Sequence, residues 1–308
     1  MAIYKPRIDW LIEELDSIYN QTYRDFQVQV WDDCPEDMND YNDLFKRHLK
    51  EISFNIHKGK KNLGSNGAFQ NLTELTDTPF IAYCDQDDIW MPDKLQVLLG
   101  LLKASESNTL AFSDMMVIDE DSNITASHIQ EARPRQIFYL GKDTFQHLLA
   151  KNFVTGCTMM MKTQIAKDAI PFPDAVFHDW WLAVYAALTG KIVMCPKPLM
   201  KYRIYDSNQS GILKGVHDKR SYFQNYIMKY HDFITDIQNR GFGGLIGAYT
   251  DWSMHRVHYF QKPSIASARA LVKMWGNVPS IVALELLLPF IPEGLFKKIL
   301  HIIQSGKI

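Results

Sequence analysis

The string Cys84-Asp85-Gln86-Asp87-Asp88-Ile89-Trp90 follows directly on a short apolar run, Pro79 to Cys84. Two carboxylates one residue apart at the end of a strand can aim at a single point and hold a hard divalent cation. Mg²⁺ and Mn²⁺ favour a few carboxylate oxygens together with phosphate oxygens. A cation so held bridges a diphosphate and neutralises the charge that develops as it leaves. An isolated D-x-D is more often a solvated acidic turn before a helix cap. The buried strand ahead of this one and Trp90 behind it favour the ligand role.

Three other groups of residues can carry chemistry. Asp32-Asp33 ends an alternating run, Phe26 to Trp31. Alone it reads first as an Asx-type turn, and otherwise as an acceptor for a base or ribose at a sheet edge. His178-Asp179-Trp180-Trp181 opens a helical stretch, where a carboxylate can serve as general base. Aspartate is also a common N-cap, and tryptophans are common core residues. Adjacent tryptophans cannot face one side of a helix, so one of them is a candidate sugar-stacking surface. Lys58 to Gly64 offers cations and backbone amides to phosphate, but its spacing is not that of a P-loop.

The elements that must position these groups follow from periodicity. Ile8, Leu11, Ile12, Leu15 and Ile18 predict a helix over Pro6 to Tyr19. Strands are expected at Phe26 to Trp31, Ile52 to Ile56 and Pro79 to Cys84, the last as a buried parallel strand. Helices are expected from Gly67 to about Thr76 and from Pro92 to Lys103. Strand–helix alternation argues for a parallel, doubly wound sheet, which binds ligands beyond the carboxyl ends of its strands. Both acidic clusters sit at such ends. Further on, strand-like pieces flank a turn at Asp119 to Asn123. Val154 to Met161 and Ile192 to Cys195 read as strands, and His178 to Gly190 as a helix. The chain after about Gly215 reads as mostly helical.

Composition narrows the partners. A net charge of −2 and a pI near 6.5 point away from nucleic acid. Four scattered cysteines, Cys34, Cys84, Cys157 and Cys195, argue against a disulfide framework or a zinc site and fit a reducing, cytoplasmic compartment. The charges at Arg7, Asp9, Glu13, Glu14 and Asp16 are not those of a signal peptide. The apolar stretch from Ser280 to Ile291 is too short to span a bilayer.

Taken in order, these strings resemble family 2 glycosyltransferases of the GT-A fold, in the rhamnosyltransferase-like branch of bacterial polysaccharide assembly. The matching residues are Leu15 to Ile18 with Asn20 to Tyr23, Asp32-Asp33, Asn62 to Gly64, Cys84 to Trp90 with Pro92 to Leu95, Val154 to Thr158, His178 to Trp181, and Tyr202-Arg203 through Asn208 to Gly211. The resemblance implies an α/β GT-A catalytic domain over residues 1–212 and a mostly helical region over 213–308. It implies an inverting transfer from a UDP- or dTDP-sugar to a saccharide or lipid-linked saccharide, assisted by Mn²⁺ or Mg²⁺. In that reading Tyr4, Asp33, Asn62, Gly64 and Asp85 face the nucleotide, and Asp87 with Asp85 holds the metal. Asp179 is the base, and His178, Trp180 and Trp90 face the acceptor.

Two departures from the family stand out. Its first strand normally begins several residues before the position of Met1, so the chain is expected to keep only that strand's end. The family's usual histidine two residues after Tyr-Arg is Tyr205 here, a poor metal ligand, which leaves Asp206, water or phosphate to complete the shell. These departures motivate a second reading, a catalytically silent GT-A binding module. A nucleotidyltransferase ranks last, since Tyr4-Lys5-Pro6 is a poor glycine-rich loop. Ile281, Leu284, Leu287 and Leu288, then Leu295, Phe296, Ile299, Leu300 and Ile303, are apolar at helical intervals with Lys297, Lys298 and Lys307 nearby. They fit peripheral membrane contact at the inner face of the plasma membrane, or packing within the chain or a homo-oligomer.

Overall fold

A computed structural model describes residues 1–134, 136–205 and 213–304. Asp206, Asn208, Gly211 and Lys307 lie outside the described residues. The chain divides into two compact units, Met1–Asp206 and Ser207–Ile308.

The first unit begins with three parallel strands, β1 (Ala2–Ile3), β2 (Val28–Asp32) and β3 (Phe54–Lys58), in that spatial order. In β2, Val28 and Val30 are buried and alternate with Gln29 and Trp31, the period-2 pattern of a strand. Helices α1 (Ile8–Tyr19), α2 (Asn42–Leu49) and α3 (Gly64–Leu75) connect and cover these strands. Helix α1 buries Leu11, Leu15 and Ile18 along one stripe.

A second, mixed sheet follows. It contains β4 (Phe80–Ala82), β5 (Ile89–Trp90), β6 (Asn108–Ile118), β7 (Ile124–Ala126), β8 (Met159–Lys162) and β9 (Lys191–Arg203), in the order β4-β8-β6-β9-β5, with β7 paired to β6. Helix α4 (Lys94–Lys103) packs on this sheet through Leu95, Leu98, Leu99 and Leu102. Helices α5 (Ile129–Ala132), α6 (Thr144–Ala150), α7 (Thr163–Asp168) and α8 (His178–Thr189) complete the unit.

Three expectations change. The run from Pro79 to Cys84 pairs antiparallel with β8 on one edge. Toward β1 it makes a single backbone bond, Ala2 N–H to the Cys84 carbonyl at 3.2 Å. Its apolar character reflects burial, which does not encode direction. Second, Gly156–Thr158 is a turn of 3₁₀ helix, so the expected strand at Val154 shortens to Met159–Lys162. Third, the short strand at Ile192 extends to Arg203. Its partner register on β6 skips between Ser113 and Asp114, where Pro196 and Pro198 lie. Proline cannot donate to the ladder, so the strand bulges there and then resumes.

The second unit is helical, with Gly247–Gln261, Ile265–Val272, Pro279–Leu287 and Glu293–Gln304 among its helices. Within it, Arg256 and Glu285 form a buried ion pair, and the Tyr222 hydroxyl donates to Glu285 at 3.0 Å. Of the C-terminal apolar residues, Leu288, Phe296 and Leu300 are core, packed with Val216, Tyr222 and Ile227. Leu287, Phe290 and Leu295 are exposed. No helix among the described residues is long and apolar enough to cross a membrane.

Candidate active site

The acidic loop Asp85–Asp88 joins β4 to β5 and is held from three sides. Gln86 clasps the end of β1: its Oε1 accepts the Tyr4 N–H at 2.7 Å and its Nε2 donates to the Tyr4 carbonyl at 3.2 Å. Arg203, fully buried at the end of β9, grips the other end of the loop. Its backbone N–H donates to Asp88 Oδ1 at 3.0 Å and its Nε to the Asp87 carbonyl at 2.9 Å. The same guanidinium pairs with Glu13 of α1 and donates to the Asp119 carbonyl and Ser122 Oγ of the β6–β7 turn. Beneath the loop, buried Lys94 donates to the Cys157 carbonyl and stands 3.7 Å over the Trp90 ring.

The carboxylates crowd together. Burial first, then the charges of Asp87 and Asp179, push Asp85 up to about 7. Burial raises Asp87 against the hydrogen bond from Tyr205, and raises Asp88 well above the usual range. Glu14, buried on α1 with the Cys84 thiol 3.0 Å from its Oε1, is raised to about 7 by burial. Carboxylates this crowded, with Arg203 and Lys94 offsetting only part of their charge, favour either protons or a cation.

Ligand atoms of Asp85, Asp88 and Cys157 lie within 4.8 Å of one another. Burial and the neighbouring carboxylates push the Cys157 thiol up, so it stays protonated, and sulfur is a soft donor ill matched to Mn²⁺ or Mg²⁺. Two carboxylates remain, a set that suits a hard cation whose other ligands are phosphate oxygens. Asp87 carries the Tyr205 hydroxyl on its Oδ2. Tyr205 is itself packed on Trp10, with ring centroids 4.8 Å apart.

Asp179 stands in the first turn of α8, fixed by donors from three segments. Gly156 N–H reaches its Oδ2 at 3.1 Å, and Trp180 N–H and Asn152 Nδ2 reach its Oδ1 at 2.6 and 3.2 Å. Burial pushes it up to about 6 while these donors pull it down. A carboxylate so poised is ionised near neutral pH yet basic enough to take a proton. Gly156 is glycine because the space is closed: a Cβ there would lie 2.8 Å from His178 Nε2 and 3.4 Å from Asp179 Cβ.

Several sequence candidates occupy other environments. His178 is buried, its ring 4.1 Å from that of Phe69, and burial lowers its pKa to about 3. Trp90 is buried under Lys94, so it packs and offers no open face to a sugar. Trp180 is half-buried, its Nε1 donating to the Leu148 carbonyl at 2.6 Å. Asp33 is buried and receives Leu63 N–H at 2.9 Å, Gly64 N–H at 2.8 Å and Trp31 Nε1 at 3.1 Å. Gly64 N–H also reaches Asn62 Oδ1 at 2.8 Å. Asp33 therefore anchors the start of α3, and the amides expected to meet phosphate are already engaged. Tyr4, 41% exposed, remains open.

Arg203, Lys94, Gln86, Asn152 and Gly156 acquire positioning roles that periodicity did not assign. The signal available for Arg203 and Lys94 was electrostatic: a buried acidic loop requires cations within reach.

The model of glycosyl transferase family 2 matches residues 2–169. An uncharacterised glycosyltransferase of Methanocaldococcus jannaschii is 25% identical over 75% of this chain and 77% of its own length. The dTDP-rhamnosyl transferase RfbG of Shigella flexneri is 25% identical over 83% of this chain and 94% of its own. The chain spans 48% of three mycobacterial relatives and 49% of the longer TarS chain. Among solved structures, S. aureus TarS 1–349 in complex with UDP-GlcNAc matches with a TM-score of 0.57 at 15% identity, covering 91% of this chain and 82% of that one. The mannosyltransferase PcManGT of Pyrobaculum calidifontis, in complex with GDP-Man and Mn²⁺, matches with a TM-score of 0.55 at 15% identity, covering 99% and 82%. The shared architecture is the GT-A fold, and the chain belongs to glycosyl transferase family 2.

Proposed function

We propose that this protein transfers a sugar from a nucleotide diphosphate donor, a UDP- or dTDP-sugar, to a saccharide or lipid-linked saccharide, with inversion. The observation that carries this reading is that the Gly156 N–H donates to Asp179 at 3.1 Å while the next residue, Cys157, places its sulfur within 4.8 Å of Asp85 and Asp88. A base on α8 and a diphosphate-side carboxylate on the β4–β5 loop thus share one site. RfbG is named for a dTDP-rhamnosyl donor, and the TarS and PcManGT complexes hold UDP-GlcNAc and GDP-Man, which supports the donor class.

In this reading Tyr4 packs against the nucleotide base. Asp33 shapes the Asn62–Gly64 loop beside the nucleotide rather than binding the base itself. Asp85 and Asp87 would hold the Mn²⁺ or Mg²⁺, with Asp88, whose carboxylate lies within 4.8 Å of that of Asp85, able to join them. The bound cation supplies charge neutralisation for the departing diphosphate. Asp179 accepts the proton of the acceptor hydroxyl as its oxygen bonds to the anomeric carbon, and the bond from that carbon to the diphosphate oxygen breaks. One displacement inverts the centre, so a single base suffices. Trp180 flanks this base toward the acceptor.

A lipid-linked acceptor would place the protein at the cytoplasmic membrane face. The exposed Leu287, Phe290 and Leu295, close in sequence to Lys297 and Lys298, support that contact. The deciding experiment is thermal stabilisation of the full chain by a panel of nucleotide sugars with and without Mn²⁺. Metal-dependent stabilisation by UDP- or dTDP-sugars is expected. Its absence with every nucleotide and both metals would leave the silent binding module, which Tyr205 on Asp87 favours.

A further inference from the structure

His178 and Trp90 are buried, which leaves Trp180 beside Asp179 among the residues expected to face the acceptor. A polar group carried by β6 reaches the same side. The β6 edge away from β9 is paired in two stretches, residues 110–112 with β8 and 117–118 with β7. Between them the ladder stops, and two loops close on the gap. From the β8 side comes Gly156–Thr158, which directly precedes Met159, the partner of Phe112, and carries the amide that holds Asp179. From the β7 side come residues 127–129. There Ile129 N–H donates to Asp114 Oδ1 at 3.3 Å, and His128 Nδ1 lies 2.7 Å from Asp114 Oδ2.

Asp114 follows Phe112 by two residues, which places it about 7 Å further along the strand and on the same face. On that face Phe112 meets Phe138 and Phe153. Asn152, the residue before Phe153, donates to Asp179 Oδ1, and Gln136 Nε2 donates to the Phe153 carbonyl at 3.1 Å. His128 thus stands on the flank of the base, within the span of a short saccharide. The Asp114 side chain is 7% exposed and that of His128 48%. Asp114 is fully engaged, because its Oδ1 also accepts Met115 N–H at 2.7 Å. A carboxylate on Nδ1 draws the proton of the neutral ring to that nitrogen and leaves Nε2 its lone pair. Among the described residues no group of the chain engages Nε2.

An imidazole oriented by a buried carboxylate, with its other nitrogen open to solvent, offers one directed acceptor to a donor outside the chain. We propose that His128 is an acceptor-binding residue. Its Nε2 takes a hydrogen bond from a hydroxyl of the acceptor saccharide and holds that sugar beside Asp179, with Asp114 as the positioning residue behind it. This assignment rests on the transfer reading above for what the bound saccharide does, and on the dyad itself for its binding.

Kinetics use the donor selected by the thermal panel, with the methyl glycosides of glucose, N-acetylglucosamine and rhamnose as acceptor probes. His128→Ala should raise acceptor KM about three- to tenfold, the scale of one hydrogen bond, with kcat and donor KM little changed. His128→Gln, whose amide reaches as far as Nε2, should recover most of that loss. Asp114→Asn keeps Oδ1 for the backbone amides and turns an NH₂ toward Nδ1, which moves the ring proton to Nε2. That variant should raise KM as His128→Ala does, an effect that a pair serving only to start α5 would not produce. ¹⁵N-histidine spectra of the full chain with UDP and Mg²⁺ read Nε2 without turnover. The glycosides should shift the resonance that His128→Ala deletes. Such a shift in a wild type that transfers nothing would sink the transfer reading and leave this proposal standing. Equal acceptor KM for wild type and His128→Ala, or no shift with any of the glycosides, would overturn it.

Discussion

The Gly156 amide donates to Asp179 Oδ2 at 3.1 Å, and the missing side chain of Gly156 is what lets the two approach. A methyl group there would meet His178 Nε2 at 2.8 Å, and His178 is held in an aromatic cluster with Phe69 and Tyr83. Gly156→Ala should therefore destabilise the protein by about 1–3 kcal/mol and shift Asp179. Chemical denaturation will show the first effect, and a transfer rate reduced beyond the loss of folded protein will show the second.

Asp179→Asn keeps the size of the side chain and removes the base. Transfer should fall by roughly 10²–10⁴-fold, while donor affinity changes by no more than a few-fold. Because Asp179 is raised to about 6, the wild-type rate should climb as pH rises through 6 and level off above it. Equal turnover by wild type and variant would remove Asp179 from the chemistry.

Stability should respond to pH in an unusual direction. Asp85 and Glu14 at about 7 and Asp179 at about 6 lie above the ordinary carboxyl values near 4. Between those limits the folded state holds protons that the unfolded state has lost. Their contribution is complete below pH 4 and is lost as pH rises through 6 to 7. His178, lowered to about 3, and the Met1 ammonium, lowered by burial, oppose this, while Asp87 and Asp88, both raised by burial, add to it. Without metal, Tm should be higher at pH 5.5 than at pH 8, and Asp85→Asn should flatten the difference.

Tyr205 occupies an oxygen of Asp87 that a cation would otherwise reach. Tyr205→Phe should tighten Mn²⁺ binding by roughly ten- to a hundredfold, the scale of one hydrogen bond to a charged group. Asp87→Ala should abolish the metal dependence of nucleotide binding. Calorimetric titration of Mn²⁺ in the presence of UDP separates the two variants.

Liposome flotation tests the lipid contact. Residues 207–308 carry 12 Lys and Arg against 6 Asp and Glu, a positive balance beside exposed Leu287, Phe290 and Leu295. Binding to vesicles rich in phosphatidylglycerol is expected, with Phe290→Ser and Leu295→Ser each reducing it several-fold. Retention of both variants on the vesicles would locate the contact elsewhere.

The sequence by itself determined the elements and the acidic loop. Periodicity places α1 and α4 to within two residues, because an apolar stripe every three or four positions is a local property. Asp85 and Asp87 were legible because a short apolar strand ending in carboxylates is also local. The tertiary structure decided the rest. Strand direction at Phe80–Ala82 depends on which neighbour pairs with it, and a run buried on both faces reads alike in either direction. The continuation of β9 past two prolines depends on a bulge against β6. Asp33 and Asp179 are both strand-end or helix-start aspartates in sequence. Only the fold shows that Asp33 holds the start of α3 while Asp179 takes the Gly156 amide, one residue from the Cys157 that lies beside Asp85, because these contacts join segments distant in sequence.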